Sequence, residues 1–321
     1  MAATLIPIPG SPTILALAVI IDAAIGDPSY RAHPVRLIGG TLAATERALR
    51  RVGMDGYAGG MLLFLVLAIV WVVGLIALLS TINVAFPAAG WVLHLFLVYS
   101  LLAFGDLVRH VWRVEQALMR DDISGARQAI SQLVGRDTER MDAGACRRAA
   151  IESLSENLTD GFTSPLFWYV VVGLPGLLLF KVVSTMDSMV GYKRPPYLRF
   201  GWCGARLDDV MTYIPARLTW LLLAAAAAAL PRCSGRKALV IGVTQHAVLP
   251  GPNAGWSEAA AAGALERRLV GPISLDGRLV TETWLGEPGD PPAESHDDVV
   301  RALALVGVTG LIAAVLACTL L

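Results

Sequence analysis

The sequence predicts an all-α integral membrane protein, a multi-pass helical bundle, on three observations. Charged residues make up only 16% of the 321-residue chain, against about a quarter in soluble globular proteins. Mean hydropathy is +0.60. The charge deficit is also concentrated: residues 61–82 (MLLFLVLAIVWVVGLIALLSTI) and 302–321 (ALALVGVTGLIAAVLACTLL) carry no formal charge. Each reaches the roughly 20 residues that a helix needs to cross the hydrocarbon core. In lipid the backbone must satisfy its own hydrogen bonds, so these segments are expected to be helices.

The elements follow in order. An apolar segment covers 12–26, and without a basic region before it we read it as retained rather than as a cleaved signal. A basic loop spans 27–60, with Arg31, Arg36, Arg47, Arg50 and Arg51. A helical hairpin comes next, 61–82 and about 85–105, joined by an uncharged turn near 83–90. The polar insert 106–160 contains Leu107, Val111, Val114 and Leu118, a spacing that predicts an amphipathic helix on the cytoplasmic side. The apolar segment 161–180 is interrupted by Gly173-Leu174-Pro175-Gly176, which predicts a re-entrant segment. A polar stretch at 184–213 precedes the apolar 214–231. The region 232–301 is polar and rich in Gly and Pro, and 302–321 closes the chain. No internal repeat is visible, so residues 1–321 read as one polytopic domain.

Basic residues in short loops mark the cytoplasmic side. They place 27–60 and the eight arginines of 106–160 inside, and the 83–90 turn outside. Net charge is zero, which gives no support for a nucleic-acid partner. The four cysteines form no CxxC pair and read as unpaired and reduced.

Five polar clusters carry the candidate chemistry. Glu152, Glu156 and Asp160 fall at i, i+4 and i+8, on one helix face. Three like charges there call for a cation, and magnesium takes carboxylates while sharing its other positions with phosphate. A solvated acidic face is the alternative. Asp187 follows an apolar segment, where a carboxylate is costly. Lys193 and Arg194 beside it suit anions or a snorkelling pair. Arg206, Asp208, Asp209 and Arg217 form the third cluster; adjacent aspartates point to different faces, and Arg206 with Asp208 or Asp209 could be a local ion pair. Asp22, Asp27, Pro28, His33 and Arg36 form the fourth. Asp22 is an intramembrane carboxylate, and His33 is an acid/base candidate or a bonded loop residue. In the fifth, Asn253 and Trp256 contact a ligand or cap a helix starting near Ser257. No GxxxxGK[ST], GxGxxG or HExxH motif is present.

Six stretches together resemble the CobD/CbiB family, the adenosylcobinamide-phosphate synthases. They are D…GDP…HPVRLIGG (22–40), VGRDTER (134–140), AAIESLSENLTDGFTSPLFWYVVVGLPG (149–176), STMDSMVGYK (184–193), GARLDDVMTYIPARLT (204–219) and GPNAGWSEAAAAGAL (251–265). They occur in the family's order over nearly the whole chain. Ser184 stands where Asn is usual, Gly251 where Ser is usual, and Leu275-Asp276-Gly277 where Tyr-x-Gly is usual. The resemblance implies a multi-pass inner-membrane enzyme. It condenses the corrinoid cobyric acid with (R)-1-amino-2-propanol or its O-phosphate, driven by ATP. Other membrane-bound cobalamin enzymes are expected partners.

From residue type, Glu152, Glu156, Asp160 and Asp187 are expected to hold magnesium and phosphate. Lys193, Arg206, Arg217, Asn157, Asn253 and Trp256 are expected to bind substrate or anions. Asp208, Asp209 or His33 is expected to take the ammonium proton, with the active site facing the cytoplasm. Two other readings compete. A magnesium-dependent prenyltransferase-like enzyme would want DxxxD motifs on two helices. A membrane sensor or transporter would have lost these motifs or would show inverted repeats.

Overall fold

The computed structural model describes residues 8–26, 30, 32–275 and 277–321. Asp27, Pro28 and Arg31 lie outside them. The helices, in chain order, are α1 (Pro12–Ile25), α2 (Pro34–Arg51), α3 (Tyr57–Leu67), α4 (Leu75–Ala85), α5 (Pro87–Ser100), α6 (Phe104–Leu118), α7 (Ile123–Ile130) and α8 (Ala143–Leu158). They continue with α9 (Ser164–Val172), α10 (Leu174–Val190), α11 (Tyr197–Phe200), α12 (Trp202–Met211), α13 (Tyr213–Ala229), α14 (Gly235–Gln245), α15 (Ala254–Leu265) and α16 (His296–Leu320). A π-helical stretch, Ala68–Gly74, joins α3 to α4.

Three helical stretches are long and apolar enough to cross a membrane: Tyr57–Ala85, Pro87–Leu118 and His296–Leu320. The pair α12 and α13 makes a fourth if it is one broken span. The chain is thus an all-α membrane protein. The hairpin and the last segment fall where hydropathy puts them. All four cysteines are free.

The chain forms two compact units. The first comprises residues 1–103, 164–212 and 314–321. Its core joins Ile38 and Leu42 of α2, Leu63 and Leu67 of α3, and Val182, Met186 and Val190 of α10. The 27–60 segment is therefore not a loop. Ile38, Leu42 and Leu49 bury one face of α2, Arg36, Arg47 and Arg51 are exposed, and Arg50 lies over the Phe200 ring at 4.5 Å.

The break at Gly173 to Gly176 turns α9 into α10, which pack on each other. Gly173 has φ 74° and ψ −156°, a region that side chains other than glycine's hardly reach. A Cβ there would also fall 2.4 Å from the Ile8 carbonyl oxygen. Past the break, α10 runs on to Val190. Asp187 therefore sits inside a helix rather than just beyond an apolar one. Gly201 lets α12 lie against α10, since a Cβ on it would come within 1.6 Å of the Val190 carbonyl.

The second unit comprises residues 104–163 and 213–313. Here α6 buries Leu107, Val111, Val114 and Leu118, the stripe that their spacing predicts. The 232–301 region is less polar in structure than in composition. It contains α15, buried from Gly255 to Leu265, whose alanines let it pack closely on α13, α14 and α8. Two short antiparallel ribbons follow, unforeseen in the sequence. Leu269–Val270 (β1) pairs with Trp284–Leu285 (β4), and Ile273–Leu275 (β2) with Arg278–Thr281 (β3). Strands this short show no alternation to read.

Gly173→Ala should destabilise the folded protein by roughly 1–3 kcal/mol, the usual cost of a strained backbone position. A thermal melt in detergent reads this directly, and an unchanged midpoint would contradict the account of the break.

Candidate functional site

The second unit gathers carboxylates from two helices that packing brings together. Glu152 and Glu156 project from α8, and Glu258 from α15. Asp142 starts α8 by accepting a hydrogen bond from the Ala145 amide at 2.7 Å, an N-cap geometry. Glu152 and Glu258 are each 7% exposed. Glu156 keeps an accessible side chain although protein surrounds it on most sides.

The three carboxylates are not equally supported. Glu152 accepts 2.7 Å from Arg136 Nη2 and 2.9 Å from the Val270 amide. Glu156 and Glu258 receive no hydrogen bond or ion pair from the described residues. Burial raises the Glu152 carboxyl above its ordinary range, with Arg136 pulling the other way. Burial likewise raises Glu156. Glu258 is pushed up well above the usual carboxylate range, by burial first and then by the charges of Glu156 and Glu152. Such a set holds protons or awaits a cation.

Asp160 lies just past α8, half-buried in a π turn, Thr159–Thr163. The Asn157 amide is spent inside α8, where Nδ2 donates to the Ser153 carbonyl at 2.9 Å and to its Oγ at 3.0 Å.

A second feature of this unit surrounds Arg217. Its Nη1 donates to the Tyr213 carbonyl at 2.6 Å and to Asn253 Oδ1 at 3.4 Å. Its guanidinium lies 3.4 Å from the Tyr213 ring centre and 4.8 Å from that of Trp256. No described carboxylate pairs with it. His246 stacks on Trp256 at 3.9 Å, and Trp256 Nε1 is buried without an acceptor. Asn253 occupies the N-cap position of α15 but makes no capping bond through its side chain. The helix starts at Ala254, not Ser257, and the capping alternative gives way to contact with Arg217.

The remaining candidates belong to the first unit. The close packing of α12 on α10 brings Asp208 and Asp209 near Asp187. Arg206 Nη1 donates to Asp209 at 3.1 Å, so the local ion pair forms. Lys193 and Arg194 are exposed beyond α10. His33 is 3% exposed, before the first residue of α2 and edge-on to Tyr30 at 5.2 Å. Asp22 is buried near the end of α1.

Two members of the acidic site escaped the residue-by-residue reading. Arg136 and Glu258 both lie within recognised stretches, VGRDTER and GWSEAAAAGAL. Their signal was a charge inside a motif, which single-residue chemistry does not rank above its neighbours.

Residues 15–306 match the family described as CobD/Cbib protein. Among curated relatives, a cobalamin biosynthesis protein CobD of Citrobacter koseri is 39% identical over 309 residues, 94% of this chain and 95% of the relative. A protein of the same description from Sinorhizobium sp. is 41% identical over 293 residues, 88% and 90% of the two chains. A cobalamin biosynthesis protein CbiB of Salmonella typhi is 38% identical over 309 residues, 94% and 95%. No solved structure matches.

A carboxyl raised above its ordinary 4.5 binds its proton more tightly in the folded state. The stability it contributes is full at low pH and falls as pH rises from 4.5 through the raised value. Melting midpoints of Glu258→Gln should therefore fall less than those of the parent as the pH is raised above 4.5. Parallel curves for the two proteins would refute the buried, raised carboxyl.

Proposed function

Because the chain belongs to the CobD/CbiB family, we propose that it joins an aminopropanol group to the corrinoid cobyric acid in cobalamin biosynthesis. The amine is (R)-1-amino-2-propanol or its O-phosphate, and ATP drives the ligation. The observation that carries this reading is the pair Glu156 and Glu258, one accessible and one buried carboxylate, neither with a donor, beside the Arg136–Glu152 pair. All four residues come from the stretches shared with the family.

The donor set suits magnesium in part. Among the described residues no three His, Cys, Asp or Glu side chains form a complete metal cage. Magnesium is commonly held by one or two carboxylates, with phosphate and water completing its shell. Glu156, the accessible carboxylate, would hold it. When bound, the ion would neutralise charge on the transferring phosphoryl group.

The chemistry needs activation, because a carboxylate has no good leaving group. A corrinoid carboxylate oxygen attacks the γ-phosphorus of ATP, the bond to the β-phosphate oxygen breaks, and ADP leaves. The amine nitrogen then attacks the acyl carbon, the carbon–nitrogen bond forms, and phosphate leaves. The amine must first lose its ammonium proton. A carboxylate of raised pKa is a better base for this than an ordinary one, and Glu258 is our choice. Arg136 fixes Glu152 in place, and Arg217 with the Trp256 indole N–H offers donors to substrate oxygens. Asp187, Asp208, Asp209, Lys193, Arg206 and His33 remain proposed contributors from the first unit. We place the enzyme in the inner membrane with its site open to the cytoplasm, where ATP is available. The other membrane-bound enzymes of the pathway are its proposed partners.

Purified protein in detergent should convert cobyric acid, ATP and magnesium to cobinamide phosphate with aminopropanol phosphate, or to cobinamide with free aminopropanol. Mass spectrometry of parallel reactions identifies the amine. Glu156→Gln should lower turnover about 100-fold or more, the scale of losing a group that stabilises developing charge. Folded protein that forms neither product would refute ligation. Full activity in the variant would remove Glu156 from the mechanism.

A further inference from the structure

The second unit holds a cavity of about 640 Å³, within the range of small-molecule sites. It lies between the 136–142 segment, the first turns of α8 and the chain around β1 and β2. Three guanidinium groups line it, those of Arg136, Arg140 and Arg148.

Two of these arginines are built into the wall. Arg148 is 8% exposed, pairs with Glu294 through Nη1, and lies 5.1 Å from the centre of the Trp284 ring. Its Nε is buried with no acceptor. Arg136 bonds Glu152 through Nη2, and its Nε is likewise buried with no acceptor. Unmet guanidinium donors inside a protein are costly. A planar fork with spare N–H groups matches phosphate oxygens.

Two of the three acidic residues of the lining are engaged with backbone amides. Asp142 caps α8, and Asp137 Oδ2 accepts 2.7 Å from the Gly277 amide. Glu139 is exposed. The N-terminal end of α8 also borders this space through Asp142 and Ala145, and the Asp142 carboxylate caps it. Arg140 is exposed at the same wall, free to close over a ligand. The Asp137–Gly277 bond and a 3.0 Å bond from the Asp137 amide to the Ser274 carbonyl tie the arginine-bearing segment to the ribbon.

We propose that this cavity is a binding site for a phosphate-bearing small molecule, held by Arg136, Arg140 and Arg148. Two sources share that chemistry, the polyphosphate of ATP and the phosphate monoester of an amino alcohol. Arg136 touches both the cavity and Glu152, which places the bound phosphate next to the buried carboxylates. The choice of probes rests on the ligation reading; the site itself does not.

Equilibrium dialysis of the full chain in detergent, with a metal chelator present, tests it. The probes are radiolabelled ATP and (R)-1-amino-2-propanol O-phosphate, with free aminopropanol as control. One phosphorylated probe should bind, and Arg140→Gln, at an exposed position that leaves the core intact, should weaken it about tenfold, as expected for loss of a charged hydrogen bond. Arg148→Lys, which keeps the charge but not the fork, should weaken it as well. Preference for ATP or for the amino-alcohol phosphate identifies the source. Folded protein that binds neither phosphorylated probe would overturn the site. So would binding that stays within about twofold in both variants. Phosphate binding without any cobinamide product would overturn the ligation reading and leave this site standing.

Discussion

A carboxylate enclosed by protein without hydrogen-bond donors is costly to keep ionised, and Glu258 in the second unit is one. Glu156 and Glu258 have no donor among the described residues, and only Glu152 has a guanidinium partner. A fold that served stability alone would replace such groups with apolar ones. Their retention next to Arg136 fits a site that trades protons or binds a cation during its work. The raised carboxyls of Glu152, Glu156 and Glu258 share one cause, the protein packed around them, which buries Glu152 and Glu258 and leaves Glu156 accessible. Glu258 adds repulsion from its two neighbours.

The surrounding architecture makes this arrangement possible. A helix of alanine and glycine, α15, comes close enough to α8 for Glu258 to sense Glu152 and Glu156. Bulkier residues on α15 would hold the two helices apart. In the first unit a different device applies. The positive-φ turn at Gly173 reverses the chain between α9 and α10, and the contact at Gly201 sets α12 against α10. Both put charged residues where an unbroken helix would not. Breaks of this kind sit where polar residues must be held near apolar segments.

The apolar spans were plain in the sequence because lipid imposes a simple rule of length and composition. The buried stripe of α6 was equally legible, since Leu107, Val111, Val114 and Leu118 repeat at helical spacing. Glu152 and Glu156 were identified for the same reason. Three other features were hidden. The amphipathic α2 reads as a loop when its arginines are weighted over Ile38, Leu42 and Leu49. The π turn at Thr159–Thr163, which holds Asp160, is a change of pitch that no residue type announces. The approach of Glu258 to Glu152 spans more than 100 positions of chain, which local spacing does not report.

The most direct test of the central claim is the protonation of the carboxylates themselves. Infrared difference spectroscopy of the detergent-solubilised protein detects a protonated carboxyl through its C=O stretch. At neutral pH the account predicts such a band. It should disappear in Glu258→Gln and diminish when magnesium and ATP are added together. Absence of the band, or a band unaltered by that substitution, would contradict a buried, raised carboxylate at the heart of the site.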